Sequence, residues 1–305
     1  MKVLVTGSNG FLGQNLVPAL LKSGFSVKCL DRFDSPFLRE LGVEFCQGDI
    51  EEENFLAKVT EGCDVVIHMA CTILPQMSNA DPAFDLTSNV GGTLRLLNAS
   101  VKNGVGRVVF ISSGGTVYGI PKSVPISEDH PTNPTCSYGV TKLMCEKYLR
   151  LYHELYGLGA VSLRLANPYG PHQRVSSAQG AIPVFCYRAL RNEPIEIWGD
   201  GSVRRDFFYV DDAVEAVLRA VLAPVSCAEI NVGGGASTSL NELVKLIEEV
   251  LGRRIDVAYR EKRGFDVPVN VLDISRAKGM LGWSPRVGLL EGLGLTVDWI
   301  RKNCL

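Results

Sequence analysis

The chain lacks the features that mark membrane, secreted and nucleic-acid-binding proteins. No apolar stretch reaches membrane length without a charged residue or a helix breaker, and the apolar run in residues 1–7 is too short for a signal peptide. Lysine and arginine number 31 against 33 acidic residues, and there is no basic run. We therefore expect a cytoplasmic protein that binds neither nucleic acid nor membrane.

Disulfide and metal chemistry are also poorly supported by the sequence. The nine cysteines are scattered, lack any C-x-x-C spacing and are odd in number, and the four histidines form no ligand cluster. This pattern is typical of reduced core thiols rather than of a disulfide framework or a metal site. With 305 residues, 46% of them hydrophobic, the chain can bury the core of one large or two modest domains.

The N-terminus combines a strand, a glycine-rich turn and a helix. Residues 2–6 form a short apolar run, G-S-N-G-F-L-G follows, and apolar residues then recur at helical spacing. This order is the context that a dinucleotide-binding fingerprint requires, because the glycines let the backbone approach a pyrophosphate at a helix N-terminus. Asp31 lies 18 residues beyond Gly13, where an acid accepts the adenosine ribose hydroxyls. Its charge favours NAD over NADP, although the adjacent Arg32 weakens that preference.

Strand and helix patterns continue to alternate after this unit. They predict strands at residues 25–30, 43–47, 64–70, 107–113 and 160–166, with helices starting at Asn89 and at Tyr138. Successive units of this kind predict an α/β fold of the Rossmann type, a doubly wound parallel sheet with ligands at the carboxyl ends of its strands.

From about residue 168 the pattern becomes irregular and richer in proline, glycine and aromatic residues, with helices near 212–222 and 240–251. We interpret this part as a smaller C-terminal α/β domain for the substrate. The expected NAD-binding domain comprises residues 1–167 and about 206–235. The expected substrate domain comprises about 168–205 and 236–305.

Tyr138 and Lys142 are the residue pair with the clearest chemical potential. Their spacing of four places both side chains on one helix face, one turn apart. A nearby ammonium stabilises a phenolate, so we expect Lys142 to lower the pKa of Tyr138 and make it a general acid/base. The spacing alone also fits a half-buried tyrosine beside a surface lysine. The nucleotide-binding fingerprint favours the catalytic interpretation.

Taken together, these motifs resemble the extended short-chain dehydrogenase/reductases and, within them, the nucleotide-sugar epimerases and dehydratases. The resemblance covers nearly the whole chain. Its further motifs are G-D-I at 48–50, H-M-A at 68–70, N-V-G-G-T at 89–93, S-S-G-G-T-V-Y-G at 112–119, Y-G-V-T-K at 138–142, R-L-A-N-P-Y-G-P at 164–171, R-D-F-F-Y-V-D-D at 205–212 and L-G-W-S-P at 281–285.

The resemblance implies an NAD site and a sugar-nucleotide site. The implied cofactor contacts are Gly7, Gly10, Phe11, Leu12, Gly13, Asp31, Arg32, Asp49, Ile50, Met69, Ala70, Cys71, Asn89, Ser112, Tyr138, Lys142 and Leu165. The implied substrate contacts are Ser113, Asn167 at the diphosphate, Trp198 against the base, Arg205 and Arg263 on the pyrophosphate, and Asp266 and Asn270 around the sugar. Guanidinium forks suit a diphosphate, although each arginine also fits an ordinary surface charge.

The residues before V-Y-G indicate which reaction to expect. Dehydratases of this family carry acids there, whereas this chain has Gly115 and Thr116. The resemblance therefore implies reversible C4 epimerisation of a UDP-hexose through a transient 4-keto sugar, with NAD recycled. The family serine or threonine falls on Gly114, so Ser113, which we favour, or Thr116 supplies the catalytic hydroxyl. The alternatives are an NAD(P)H-dependent 4-keto sugar-nucleotide reductase, a dehydratase, and a non-catalytic sensor of NAD or sugar nucleotide.

Two finer expectations follow from the resemblance. Asn270 falls where epimerases limit space around the sugar C2 substituent, and its small amide predicts that N-acetylated UDP-hexoses are also accepted. The alternative is that Asn270 merely starts a strand. The helices from Asn89 and Tyr138 should pair with those of a second copy to form a homodimer, using outward apolar residues such as Leu96, Met144 and Leu151.

Overall fold

Strands and helices alternate through most of the chain, and the computed structural model describes residues 1–72, 75–175, 180–261 and 267–305. The strands are β1 Lys2–Thr6, β2 Ser26–Asp31, β3 Glu44–Gln47, β4 Val65–His68, β5 Arg107–Ser113, β6 Gly159–Leu165, β7 Asn167–Tyr169, β8 Ile195–Trp198, β9 Arg204–Arg205, β10 Phe207–Tyr209, β11 Cys227–Val232, β12 Thr238–Ser239, β13 Val257–Arg260 and β14 Val269–Asn270. The helices are α1 Phe11–Lys22, α2 Pro36–Glu40, α3 Glu53–Val59, α4 Pro75–Ser78, α5 Pro82–Asp85, α6 Gly92–Lys102, α7 Ser137–Tyr156, α8 Ala181–Leu190, α9 Val210–Leu222, α10 Leu240–Leu251, α11 Ser275–Leu281 and α12 Leu289–Asn303.

One parallel sheet organises the chain. Within the described residues it has seven strands in the order β11-β6-β5-β4-β1-β2-β3, with every neighbouring pair parallel. The chain proceeds outward from β1 in both directions, which creates a switch point between β1 and β4 where ligands bind in open α/β sheets. The Rossmann-type fold that the sequence predicts is confirmed.

The sheet is buried on both faces because successive side chains of a strand point in opposite directions. Val3 and Val5 of β1 belong to an apolar cluster with α1 and α9 residues, whereas Leu4 between them belongs to a second cluster with α3, α6 and α7. Strands β4 and β6 are buried along their whole lengths. The continuous apolar runs in the sequence therefore reflect helices on both sides of the sheet.

The remaining elements surround a further apolar cluster. Helices α8, α10 and α12 pack there against the parallel pair β8 and β13, through residues such as Phe185, Ile195, Leu243 and Val297. The chain returns to the main sheet as β11, which pairs with β6. The predicted helices near 212–222 and 240–251 correspond to α9 and α10, while the domain boundaries given above stay a prediction.

Short strands bring the C-terminal part of the chain against the end of the main sheet. Strand β9 lies between β12 and β14, with Asn270 beside Arg205. Just beyond β14, Leu272 forms a bridge with Ile126 and shares a buried cluster with Val117 and Tyr118. The loop after β5 is thereby joined to the segment after β14.

One predicted helix boundary is wrong. Asn89 does not start a helix but lies inside a π-helical segment, Leu86–Gly91, and α6 begins at Gly92. The Asn89 amide contributes to this geometry, since it donates to Asp85 Oδ1 (2.7 Å) and accepts from the Thr72 backbone N–H (3.0 Å). Single π-helical turns often occur at functional sites.

None of the helices in the described part of the chain is long and apolar enough to cross a membrane.

Candidate active site

The glycine turn after β1 is shaped for close backbone approach. Gly7 has φ +71°, and a Cβ there would lie 2.8 Å from the Ala70 backbone nitrogen. Gly13 packs so closely on the Ser8 backbone that a Cβ would overlap it. In the described residues, no side chain caps Gly10 at the start of α1, and the first turn of this helix holds no acidic side chain. Its backbone N–H groups therefore suit an anion such as a pyrophosphate.

Asp31 stands at the carboxyl end of β2, beside this turn. Its carboxylate accepts the backbone N–H of Asn9 (2.9 Å) and that of Phe33 (3.2 Å), so its orientation is fixed. The neighbouring Arg32 places Nη1 3.7 Å from Asp49 Oδ2, which is a long and exposed ion pair. The guanidinium therefore already has an acidic neighbour on the same cleft wall.

An open cleft runs along the carboxyl ends of β1, β2, β3 and β4. Its lining residues are Gly7, Asn9, Gly10, Leu30, Asp31, Arg32, Phe33, Gly48, Asp49, Ile50, Met69, Ala70, Cys71, Thr72 and Arg174. Most of the implied cofactor contacts are in this set. The backbone cradle, the helix N-terminus and the acid at a strand end fit the pyrophosphate and adenosine ribose of NAD.

Several residues that line the cleft are not among the implied cofactor contacts. Asn9 lies within the glycine turn and Phe33 lies two residues after Asp31, so their positions in the sequence could have suggested them. Thr72 is held there by Asn89, 17 residues later in the chain. Arg174 belongs to the segment after β7. No local sequence pattern predicts that Thr72 and Arg174 line the cleft.

Some implied cofactor contacts turn their side chains away from the cleft. Phe11 and Leu12 pack into apolar clusters, and Leu165 is buried, with its carbonyl accepting the Gly114 N–H (2.8 Å). The Ser112 hydroxyl donates to Glu146 Oε1 at 2.5 Å inside the core. These side chains are therefore engaged in apolar packing or, for Ser112, in a buried hydrogen bond.

Lys142 lies beneath Tyr138 on α7, as the spacing predicts. It is 6% exposed, and its Nζ donates to the Ile111 carbonyl at 2.9 Å. The same ammonium lies 4.7 Å from the Phe110 ring centroid and 5.6 Å from that of Tyr138. The charge is therefore held between strand β5 and the face of the Tyr138 ring.

The expected pKa of Tyr138 is wrong for this structure. Burial raises the pKa of Tyr138 well above its usual value of 10.0, and Cys71 and Cys136 raise it further. The Lys142 ammonium, which lies near the Tyr138 ring and donates to the Ile111 carbonyl, does not offset this increase. The half-buried phenol is therefore neutral, and one of the residues that raise its pKa, Cys71, lines the cofactor cleft.

The loop after β5 contacts the first turn of α7 directly. A Cβ on Gly139 would lie 2.8 Å from the Thr116 carbonyl oxygen, so the loop and the helix can approach this closely only with glycine there. Thr116 Oγ1 is buried and has no hydrogen-bond partner in the part of the chain that the structure describes. Ser113, the other candidate hydroxyl, is the last residue of β5 and is partly exposed.

Gly114 departs from the family pattern for a steric reason. A Cβ at this position would lie 2.5 Å from Leu272 Cδ1 and 3.1 Å from the Arg164 carbonyl oxygen. A serine or threonine would therefore require the Leu272 side chain to shift. Glycine avoids this rearrangement.

The implied substrate residues lie on separate short elements. Arg205 Nη1 donates to the Val267 carbonyl (2.7 Å), and Asn270 Nδ2 donates to the Gly114 carbonyl (3.1 Å). Asn270 is 2% exposed, and its Oδ1 has no partner among the described residues. Asn167 donates to the Asp206 carbonyl (3.2 Å), and Trp198 ends β8 with its ring partly exposed. Arg263 and Asp266 lie outside the described residues.

Sequence comparison identifies the family. The model of the NAD dependent epimerase/dehydratase family matches residues 3–233, which include the glycine turn, Asp31, Tyr138 and Lys142. The chain belongs to this family. Its cofactor is NAD, and the predicted enzyme class, an NAD-dependent isomerase, is confirmed.

Relatives of this epimerase/dehydratase family member match it from end to end. A UDP-glucose 4-epimerase of Mycolicibacterium smegmatis is 38% identical, over 99% of each chain. The crystal structure of UDP-glucose 4-epimerase from Thermotoga maritima with UDP-glucose is 37% identical, with a TM-score of 0.95 and full coverage of both chains. A UDP-N-acetylglucosamine 4-epimerase of Methanobrevibacter ruminantium, in complex with UDP-N-acetylmuramic acid, is 32% identical with a TM-score of 0.93, covering 99% of this chain and 98% of that one.

Proposed function

We propose that this enzyme interconverts the C4 epimers of a UDP-hexose, with UDP-glucose and UDP-galactose as its principal pair. The observation that carries the proposal is the loop before V-Y-G. Gly115 and Thr116 stand where a dehydratase needs acids, while both members of the Tyr138–Lys142 pair that we propose for hydroxyl oxidation are present and close together on α7. The proposed pair suits proton removal from a hydroxyl, and the loop before V-Y-G has no acid for the loss of water.

The proposed chemistry assigns one task to each residue. NAD, when bound, supplies the hydride acceptor and a positive charge in the cleft. Tyr138, once ionised to the phenolate, takes the proton of the C4 hydroxyl and returns it at the end of turnover. The Lys142 ammonium lies near the Tyr138 ring, and its hydrogen bond to the Ile111 carbonyl fixes its position. Because the Tyr138 phenol is neutral in this structure, proton removal depends on further positive charge near its oxygen.

The substrate would be held by the short elements of the C-terminal part. We propose Arg205 and Arg263 on the diphosphate, Asn167 beside them, Trp198 on the base, and Asp266 and Asn270 around the sugar. The 4-keto intermediate must present both faces at C4, so it has to be tethered through its diphosphate rather than through its ring. Arginine forks are suited to such a tether.

The test is a panel of UDP-sugars incubated with the purified enzyme, with and without added NAD or NADPH. We expect UDP-glucose and UDP-galactose to interconvert without net consumption of either cofactor. Turnover only with NADPH and a 4-keto sugar nucleotide would establish the reductase alternative, and loss of water from the sugar would establish the dehydratase. Tight NAD binding without turnover of any sugar nucleotide would support the alternative of a non-catalytic sensor.

The third catalytic hydroxyl is proposed to come from Ser113, with Thr116 as the alternative. The buried and unpaired Thr116 Oγ1 gives the alternative physical support, because a substrate hydroxyl would satisfy it. Ser113→Ala and Thr116→Val remove one hydroxyl each with little change in volume. We expect a large fall in kcat for the catalytic position only, and a silent Ser113→Ala with an impaired Thr116→Val reverses the assignment.

Asn270 is proposed to admit N-acetylated UDP-hexoses beside the plain pair. Its buried, unpaired Oδ1 can accept a hydrogen bond, as an acetamido N–H would require. Asn270→Tyr should lower kcat/KM for UDP-N-acetylglucosamine much more than for UDP-glucose. An equal loss on both substrates contradicts the proposed role of Asn270 in admitting N-acetylated substrates. A wild-type enzyme that does not convert N-acetylated substrates also contradicts it.

A homodimer through α6 and α7 and a cytoplasmic location are also proposed. Leu151 and Leu155 of α7 are 41% and 61% exposed, which supports an apolar surface there. Leu96, however, is fully buried and faces the sheet, so its expected outward orientation is wrong, and Met144 is partly buried. Leu155→Asp should convert a dimer to a monomer in sedimentation, while Leu222→Asp, an equally exposed change on α9, should not. A wild-type monomer at micromolar concentration contradicts the proposal.

A further inference from the structure

Helix α7, which carries the proposed catalytic pair, also carries a buried carboxylic acid side chain. Glu146 of α7 is 1% exposed, four residues after Lys142 and eight after Tyr138, which places it on nearly the same face of the helix. Its two oxygens accept a fork from Arg164 of β6, at 3.0 Å from Nε and 2.7 Å from Nη2. The Ser112 hydroxyl also donates to Glu146. The carboxylate thus joins α7 to the ends of two neighbouring strands.

Arg164 extends the connection to the loop after β5. Its Nη1 donates to the Tyr118 hydroxyl at 2.9 Å, and its guanidinium lies 5.0 Å from the Tyr118 ring centroid. The Tyr118 hydroxyl donates in turn to Asn231 Oδ1 at 2.7 Å, and Asn231 Nδ2 donates to the Ile126 carbonyl at 2.8 Å. A continuous chain of hydrogen bonds therefore runs from α7 through β6 and the loop to β11.

The protonation states keep this chain intact. Burial raises the pKa of Tyr118 to about 12, so its hydroxyl remains neutral and can accept from Arg164 while it donates to Asn231. Burial acts to lower the pKa of Arg164, but the bonds to Glu146 outweigh it and raise the pKa above its usual value. Arg164 therefore stays charged, and its guanidinium remains hydrogen-bonded to Glu146.

Stability alone is a weak reason for such an arrangement. A buried ion pair rarely adds net stability relative to well-packed apolar residues, because both ions lose their hydration. A fully satisfied buried network does fix one relative arrangement of the elements that it joins. Here those elements are the strand end at Ser113, the loop of Thr116 and the helix of Tyr138 and Lys142, which are the parts that hold the proposed catalytic groups.

We propose that Glu146, Arg164 and Tyr118 are positioning residues that hold the loop after β5 and helix α7 in the register needed for proton transfer. The proposal rests on the proposed function for its catalytic consequence. None of these side chains lines the cofactor cleft, and each acts through backbone and helix placement. Small displacements matter for such steps, since an error of about 1 Å can cost roughly a hundredfold in rate.

The test replaces one oxygen atom and compares it with a matched control. Tyr118→Phe removes the hydroxyl that joins Arg164 to Asn231 and keeps the ring. Tyr169→Phe removes the hydroxyl of another fully buried tyrosine, which donates to the Leu289 carbonyl at 3.2 Å outside the network. Both variants and the wild type are measured for KM, kcat and bound NAD, and for amide hydrogen exchange in residues 114–119 and 137–142.

We expect Tyr118→Phe to lower kcat by about tenfold or more, with KM within about twofold and NAD retained, since a positioning loss acts on the chemical step. Exchange should rise in both segments for this variant alone. Arg164→Lys, which keeps the charge but loses the fork, should repeat both effects. Unchanged exchange in Tyr118→Phe overturns the proposal whether or not the enzyme is an epimerase. Raised exchange with unchanged kcat also overturns it. A wild type without epimerase activity refutes the proposed function separately, and hydrogen exchange then decides the positioning role alone.

Discussion

The cofactor end of the site and the substrate end that we propose are built in different ways. The cofactor end uses consecutive pieces of chain, in which β1, the glycine turn, α1 and β2 bring Gly7 and Asp31 to one cleft within about 30 residues. The substrate end uses short elements far apart in sequence, with Arg205 on β9 and Asn270 on β14. Local patterns can specify the first kind of site, whereas the second kind depends on tertiary packing.

The two ends also differ in what holds their side chains. Asp31 receives two backbone N–H groups from its own turn, so its orientation is local. Arg205 and Asn270 are instead held by the backbone carbonyls of Val267 and Gly114. Substitutions at the cofactor end should therefore change cofactor choice alone, and those at the substrate end should change substrate binding while NAD stays bound.

The largest expected effect lies where the two ends meet. Tyr138→Phe should lower kcat by about 10²–10⁴-fold, because general acid/base groups contribute that much, while NAD remains bound. Tyr156→Phe, at the exposed end of the same helix, is the control and should be silent. Steady-state kinetics and the absorbance of released cofactor measure both quantities. A Tyr138→Phe enzyme above about one hundredth of wild-type activity contradicts the catalytic role.

Asp206 joins the segments that follow β11 and β14, and it should make stability depend on pH. Its buried carboxylate accepts the Gly234 N–H (2.6 Å), after β11, and the Leu272 N–H (3.1 Å), after β14. Burial raises the pKa of Asp206 to about 6, so the folded state favours the protonated acid. The resulting stabilisation is complete below about pH 4 and is lost as pH rises through about 6, by up to about 3 kcal/mol in the free energy of unfolding.

Urea unfolding of the wild type and Asp206→Asn between pH 4.5 and 7.5 measures this effect. The difference between the two unfolding free energies should change across the interval, because only the wild type has the titrating acid. Asp298→Asn, on the exposed face of α12, provides the control for other carboxylates. Parallel curves for the wild type and Asp206→Asn would show that the Asp206 carboxyl does not titrate in this range.

Asp31→Ala should relax the preference for NAD over NADP by about 10–100-fold, which is the worth of one or two charge-assisted hydrogen bonds. The loss of negative charge also removes repulsion of a 2′-phosphate. Asp34→Ala, which breaks an exposed ion pair with Arg39 nearby, should leave cofactor choice unchanged. Binding titrations with both nucleotides provide the measurement. A wild type that already prefers NADP contradicts the assignment of Asp31 and favours the reductase.

Arg205→Lys should give the smallest effect, a rise in KM for the UDP-sugar of about tenfold with kcat and NAD binding retained, because lysine keeps the charge but loses the fork. The control is the adjacent Arg204→Lys, whose guanidinium is held by Ser237 and Glu242 instead. An unchanged KM in Arg205→Lys would contradict the proposed contact between Arg205 and the substrate diphosphate. A change in NAD affinity would contradict the separation of the two ends.

The same contrast explains how much of the fold and of the site can be predicted from the sequence. The sheet, the glycine turn and Asp31 follow from periodicity and short motifs, since they are local. The spacing of Tyr138 and Lys142 predicts that the two residues share a helix face. It does not predict the raised pKa of Tyr138, because that comes from burial by residues far away in the chain. Thr72, Arg174 and the Glu146–Arg164 pair were missed because they depend on contacts between residues far apart in the chain.

Hydride removal from and return to C4 of the sugar is tested most directly with UDP-glucose that carries deuterium at C4. In wild-type enzyme with no added reductant, we expect UDP-galactose whose deuterium is still at C4, because the label leaves and returns within one active site. Mass spectrometry and proton NMR of the product measure its position. Loss of the label to solvent, or product formed only with stoichiometric NAD(P)H, would contradict a transient 4-keto intermediate.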